Sequence, residues 1–388
     1  MDISDRIKYV GCDDTTLDLF EGQYPIPTGV SYNSYIIFDE KIVVMDTVDK
    51  RAGDEWLKKI EAALDGKTPD YLVVQHLEPD HSANIAALAD KYPDMQLVGS
   101  VKTKAMLPQF FDKDYSDRML AMKEGDVLDL GTDKLHFVMA PMVHWPEVMV
   151  TYEEKEKVLF AADGFGCFGA LSLHDKWTED DWLEEARRYY LNIVGKYGAQ
   201  VLQLLNKAAG LDIAKIAPLH GPVLTEDLGF YIGKYQVWAS YEPEESAIFM
   251  PYASAHGHTK AEVLRFAEEL KEAGETVVPF DLTRNDVSYA VEKAFEYDRM
   301  ILTSITYDAS IYPAAEDFIY HLEIKNYQNR KVGLIENGSW APSAGKKMKE
   351  HFEKMKNITL AEPIVTIKTT RKPADQEAFT ALMNAMKN

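Results

Sequence analysis

The sequence predicts an α/β protein in two parts, and three observations carry that reading. Short apolar runs alternate with longer amphipathic stretches along most of the chain. From residue 247 onward the alternation becomes strict, strand then helix, five times over. Between the parts lies 240–246, Ser-Tyr-Glu-Pro-Glu-Glu-Ser, a polar proline-containing bridge read as a linker. The expected domains are therefore 1–245 and 246–388.

In the first part, 34–38 and 41–46 read as a hairpin around Asp39-Glu40. An amphipathic helix is expected over 54–64, a buried strand over 71–75 and a helix over 82–92. Strands follow at 96–99, 127–130, 135–139, 148–152 and 158–162, then long helices at 179–197 and 200–209. In the second part the strands are 247–252, 276–280, 299–303, 331–335 and 363–367. The helices are 259–273, 288–297, 314–324, 344–355 and 374–386. That order predicts a doubly wound parallel sheet.

The chain has 388 residues, 46% of them hydrophobic, enough to bury a sizeable core. Its 42 basic and 63 acidic side chains leave a formal charge of -21, which disfavours nucleic acid and anionic membranes as partners. Two cysteines, Cys12 and Cys167, exclude a disulfide framework and a thiolate-rich iron site. No signal peptide and no membrane-spanning apolar run is visible, so a cytoplasmic protein is expected.

His76, Glu78, Asp80 and His81 form an H-x-E-x-D-H run directly after the strand at 71–75. Three further candidates sit just past predicted strands or in short loops: His144 in Val-His-Trp-Pro, Asp163 in Ala-Ala-Asp-Gly and His220 in Leu-His-Gly-Pro. Open α/β layers place sites at such strand ends. Taken singly, each has a plainer reading: a lone histidine as a hydrogen-bonded core residue, Asp163 as a turn residue, Asp80 as a helix cap. The density of the run favours metal. Seven ligands exceed the needs of one tetrahedral ion and suit a pair, with Asp163 as candidate bridge. A zinc hydrolase would usually carry histidine where Glu78 stands. The added carboxylate favours a harder, redox-active ion such as iron or manganese. His136, His174, His321 and His351 read as structural, with His174 the one to check for support of a ligand.

In the second part the loop after the first strand is Ala-Ser-Ala-His-Gly-His-Thr, opening into a helix. Ser254, His256, Gly257, His258 and Thr259 supply hydroxyls, backbone amides and a helix N-terminus, a cradle for phosphate. Neither a dinucleotide glycine fingerprint nor a P-loop is present, so a mononucleotide such as FMN fits better. The loops after the third and fourth strands offer Thr306, Tyr307 and Asp308, then Gly338, Ser339, Trp340 and Ala341. Their aromatics suit stacking on a flavin ring. The plainer reading is that they only cover the sheet end.

These motifs, in this order, resemble the flavodiiron proteins over nearly the whole chain. The resemblance implies a metallo-β-lactamase-like αββα domain followed by a flavodoxin-like doubly wound sheet. It implies that His76, Glu78 and His144 hold one iron and Asp80, His81 and His220 the other, with Asp163 bridging and His81 the least secure ligand. It further implies FMN, two irons per chain, and reduction of dioxygen to water or nitric oxide to nitrous oxide. A head-to-tail homodimer or dimer of dimers would pair each FMN with the other chain's irons. No rubredoxin or flavin-reductase segment is visible, so a separate donor such as rubredoxin or a reduced deazaflavin coenzyme is expected. His258 stands where the family usually has Asn, the Trp340 loop is poorer in glycine, and Asp308 is an unexpected anion. The rival readings are a binuclear zinc hydrolase and a flavodoxin-like electron carrier on an inert platform.

Overall fold

In a computed structural model the described residues are 2–174 and 177–387. They form two compact units, Met1–Tyr190 with Ala199–Gln236, and Leu191–Gly198 with Val237–Asn388.

The first unit contains two mixed sheets. One has six strands in the order Ile7–Tyr9, Tyr35–Ile37, Val43–Met45, Tyr71–Val73, Gln96–Ser100, Met119–Met122. The other has five, Val127–Asp129, Lys134–Met139, Met149–Glu153, Val158–Phe160 and Lys215–Ala217. Side chains alternate along a strand, so residues two apart share a face. Tyr35 and Ile37, Val43 and Met45, and Val73 thus meet Leu135, Phe137, Met149, Val158 and Phe160 of the other sheet in one buried layer. Such a layer is held by transfer of apolar surface from water, roughly 1.5–3 kcal/mol for each fully buried large side chain. The helix Gly53–Leu64 buries Trp56, Ile60 and Leu64, one residue per turn. This is the metallo-β-lactamase-like αββα architecture.

The second unit is the flavodoxin-like parallel sheet. Its order is Val277–Asp281, Glu245–Tyr252, Tyr297–Tyr307, Lys331–Asn337, then the fifth strand in two pieces, Thr359–Leu360 and Val365–Ile367. Numbered by sequence this is 2-1-3-4-5, which puts a topological switch between the first and third strands. Helices His258–Glu272 and Gln376–Met386 pack on one face through Val263, Phe266, Leu270, Phe379, Leu382 and Met386.

Several expectations change. The helix expected over 82–92 is two pieces, Pro79–Ser82 and Ile85–Lys91. Asn84 breaks it: its side-chain amide donates to Val48 O at 2.6 Å, and Gly53 leaves room where a Cβ would meet Asn84 Oδ1 at 2.2 Å. The helix expected over 179–197 is α-helical only to Tyr189 and widens into a π turn, Tyr190–Val194. The segment 240–246, read as a linker, is folded against the second unit. There Trp238 donates to Glu244 at 2.7 Å, Glu244 N to Glu296 O, and the Tyr241 hydroxyl to Gly195 O. The sequence reading also missed the strands before residue 34, Met119–Met122, Lys215–Ala217 and the helix Leu228–Ala239. No helix among the described residues is long and apolar enough to cross a membrane.

Candidate active site

All seven predicted ligands come together in the first unit, each just past a strand end. Strand Tyr71–Val73 runs on to Gln75, whose backbone and side-chain amides donate to Asp46 at 2.7 and 2.9 Å. That fixes the exit of His76. The single helical turn Pro79–Ser82 carries Asp80 and His81, and Ser82 closes the loop with a bond to Leu77 O at 2.7 Å. Thr47 holds the His81 carbonyl through both its amide and its hydroxyl. Asp163 follows Val158–Phe160, and His220 follows Lys215–Ala217. Asn33 pins the His220 loop by donating to Pro218 O and Gly221 O. Gly221 has φ +82, and a Cβ there would lie 2.3 Å from the Cys167 sulfur. Only glycine permits that turn beside the buried thiol.

The ligand atoms form two groups, His76, Glu78, His144 and Asp163, and Asp80, His81 and His220. In the first, His144 Nε2 is 3.0 Å from Glu78 Oε2, and His76 Nε2 is 3.3 Å from both Glu78 Oε2 and Asp163 Oδ2. In the second, Nε2 of His81 and Nε2 of His220 are 3.0 Å apart, and Asp80 Oδ2 lies 3.3 and 3.2 Å from them. Asp163 turns Oδ2 to the first group and Oδ1 to the second, 3.3 Å from His81 Nε2 and 3.7 Å from His220 Nε2. Two donors each about 2.1 Å from one ion are separated by about 3.0–3.4 Å at octahedral to tetrahedral angles. The observed spacings match, except that Asp163 Oδ1 to His220 Nε2, at 3.7 Å, is longer.

Hydrogen bonding gives a second test of fit. Both oxygens of Asp80, both of Asp163 and Nδ1 of His81 are buried with no hydrogen-bond partner. Each unpaired buried polar atom costs about 1–3 kcal/mol, more when charged. Metal cations held by these groups would satisfy the carboxylates. Electrostatics agrees. Burial alone would raise the Asp163 carboxyl, but His144, His81 and His76 hold it well below the usual range. Burial alone would lower His76, but Glu147 and Glu78 push it well above its ordinary value, and His144 is pushed up to about 9 by Asp163 and Glu78 against the same penalty. Carboxylates placed to stabilise imidazolium also stabilise a metal dication.

Aromatic rings wall the site: Trp145 lies edge-on to His76 at 5.1 Å, and Phe20 and Tyr189 lie 5.3 and 5.5 Å from His220. Three acids here escaped the sequence reading. Asp46 is pushed up to about 6 by burial. Glu21, on the turn after Leu19–Phe20, is pushed up to about 7 by desolvation and by the charge of nearby Glu78. Glu147 accepts from His76 Nδ1 at 2.8 Å. Its signal was its place three residues after His144. The four histidines read as structural lie outside the ligand groups: His136 bonds Glu154, His351 bonds Glu323, His321 bonds Asp317 O, and the His174 ring lies 4.2 Å from that of Trp177.

The second unit has a cavity of about 490 Å³ at the carboxyl ends of its strands, a size usual for small-molecule sites. Of the predicted residues, His256, His258, Thr259, Thr306, Tyr307, Asp308, Gly338, Ser339, Trp340 and Ala341 line it. Ser254 and Gly257 do not: Ser254 Oγ accepts from Lys260 N, and Gly257, at φ +88, caps the helix His258–Glu272. Ala255, Ile305, Ala309, Asn337 and Thr369 also line it and were missed. Asn337 ties the loops together, donating to Thr259 Oγ1 and Thr369 O and accepting from Thr369 N. Thr306 Oγ1 accepts from Ser343 N and Ala344 N, capping the next helix. Trp340 is 82% exposed and Tyr307 50%.

Comparison with known proteins agrees. The family profile described as ODP family beta lactamase matches residues 30–221. A flavo-diiron protein of Clostridium acetobutylicum is 30% identical over 352 residues, 88% of each chain. An anaerobic nitric oxide reductase flavorubredoxin of Aliivibrio salmonicida is 28% identical, covering 87% of this chain and 69% of its own. Among solved structures, the rubredoxin oxygen:oxidoreductase of Desulfovibrio gigas superposes with a TM-score of 0.93 at 28% identity, over 100% of this chain and 97% of its own. The paired ligand groups, the strand-end cavity and these similarities converge: the chain belongs to the flavodiiron protein family.

Proposed function

We propose that this flavodiiron oxidoreductase reduces dioxygen to water, nitric oxide to nitrous oxide, or both, with electrons entering through FMN. One observation carries the reading: a single buried carboxylate, Asp163, turns one oxygen to each of two ligand groups. His76, Glu78 and His144 would hold one iron, Asp80, His81 and His220 the other. Two bound irons would supply electrons and adjacent open positions for a diatomic gas. Glu78, Asp80 and Asp163 offset their charge. Trp145, Phe20 and Tyr189 keep bulk water away from the site.

In the second unit, the helix at His258 with His256 and Thr259 would receive the FMN phosphate, and Trp340 and Tyr307 the ring. Electrons would come from a separate donor, a rubredoxin or a reduced deazaflavin coenzyme, and a head-to-tail homodimer would bring each flavin to the partner's irons. The zinc hydrolase reading is not favoured: it leaves the flavodoxin-like unit and its cavity without a role. The test is metal content and flavin absorbance of anaerobically purified protein, then gas consumption by the reduced protein. Two irons and one FMN per chain with rapid consumption support the proposal, and the ratio of rates assigns the gas. Zinc, with no consumption, sinks it.

A further inference from the structure

The ligand histidines differ in what stands behind them. His76 turns Nε2 to Glu78 and Asp163, so its Nδ1 carries the proton and donates it to Glu147 Oε1 at 2.8 Å. Both side chains are fully buried. His220 donates from Nδ1 to a neutral carbonyl, Ser31 O, at 2.7 Å. His81 Nδ1 has no partner. The acid behind His76 is held firmly. Glu147 Oε1 also accepts from Leu77 N at 2.9 Å, and its own carbonyl accepts from Ser100 Oγ at 2.8 Å.

We propose that Glu147 is a positioning residue that makes the two metal positions unequal. A carboxylate behind a ligand imidazole fixes the ring and raises its basicity. The ion at His76, Glu78 and His144 therefore binds more tightly and favours its oxidised state more than the ion at Asp80, His81 and His220. The inference rests on the diiron reading above. The redox event concerned is one electron added to one ferric ion, giving ferrous iron, with dithionite as reductant.

Glu147→Gln isolates the charge, because an amide oxygen can accept the same two hydrogen bonds. In the wild-type holoprotein, a chelator should remove the two ions in two phases, and reductive titration followed by electron paramagnetic resonance should show two separated one-electron steps. Glu147→Gln should speed the slow release phase about 10–100-fold and move the later reduction step to higher potential, narrowing the interval in which the half-reduced pair is seen. Glu147→Asp, which keeps the charge, should restore part of both. Unchanged release and unchanged potentials in Glu147→Gln would mean that the contact only packs the ring, and would overturn the inference while leaving the diiron reading intact. A wild-type chain that holds no more than one ion overturns both. Should Glu147→Gln fail to fold, the wild type still decides: one release phase with a single two-electron step overturns the proposal.

Discussion

The two candidate sites of this chain are built by opposite means. The candidate metal ligands are charged or ionisable groups, most of them buried, held by short hydrogen bonds to residues far away in sequence, such as His220 to Ser31 O and His76 to Glu147. The strand-end cavity of the second unit is made of small polar residues on three loops, topped by aromatics that stand in solvent. Buried charge must be compensated, so the first site is rigid and intolerant. An exposed cleft carries little internal penalty, so its residues can vary while its backbone scaffold is retained.

Breaking that contrast should give graded effects. The largest is expected from Asp163→Asn, which removes the shared carboxylate. Metal affinity should fall by more than about 100-fold, beyond the loss usual for an outer partner, with activity lost and one FMN still bound. Metal analysis beside flavin absorbance checks this; loss of flavin together with iron would show that the sites are not independent.

Thr306→Val tests the scaffold of the cavity. It removes the acceptor for Ser343 N and Ala344 N, the latter residue fully buried, and should cost about 1–3 kcal/mol in thermal or denaturant unfolding of the second unit. Flavin affinity should fall with it, and iron content should not. Trp340→Ala should leave stability within about 0.5 kcal/mol, since the side chain is exposed. Flavin binding, read by fluorescence quenching of the reconstituted apoprotein, should weaken about 2- to 10-fold, the worth of one aromatic stack. An unchanged affinity would mean that the ring does not stack there.

A control touches neither site. Glu153 is buried beside Asp133, with Arg6 bonded to both, and burial and then the neighbouring Asp133 carboxyl push its own carboxyl up to about 8. The folded state thus binds a proton more tightly than the unfolded chain. This contribution to stability is fully present below about pH 4.5 and is lost as the pH rises through about 8. Glu153→Gln should remove that decline in unfolding free energy between pH 5 and 8, with iron and flavin unaltered. A slope equal to wild type would refute the assignment.

Much of this was legible beforehand, for reasons tied to particular residues. The run from His76 to His81 is local, and so dense in ligands that only a metal makes it reasonable. The doubly wound parallel sheet followed from a strict alternation of strand and helix, in which each element announces itself by its own periodicity; its 2-1-3-4-5 order came only with the structure. The short strands before residue 34 were not legible, because two or three residues carry no periodic signal. Nor was the break at Asn84, which depends on Val48 and Gly53 meeting it from elsewhere.

What the sequence determined by itself was chemistry: which residues can bind metal, that seven of them suit two ions rather than one, and that one loop opening into a helix offers amides and hydroxyls to a phosphate. What only the tertiary structure decided was orientation. That Asp163 gives one oxygen to each group, that Glu147 stands behind His76 while His81 has nothing behind it, and that Asn337 rather than Ser254 faces the cavity all depend on contacts between residues far apart in the chain. Side-chain direction is set by packing and by the partners that satisfy each buried polar atom, and linear spacing carries no record of either.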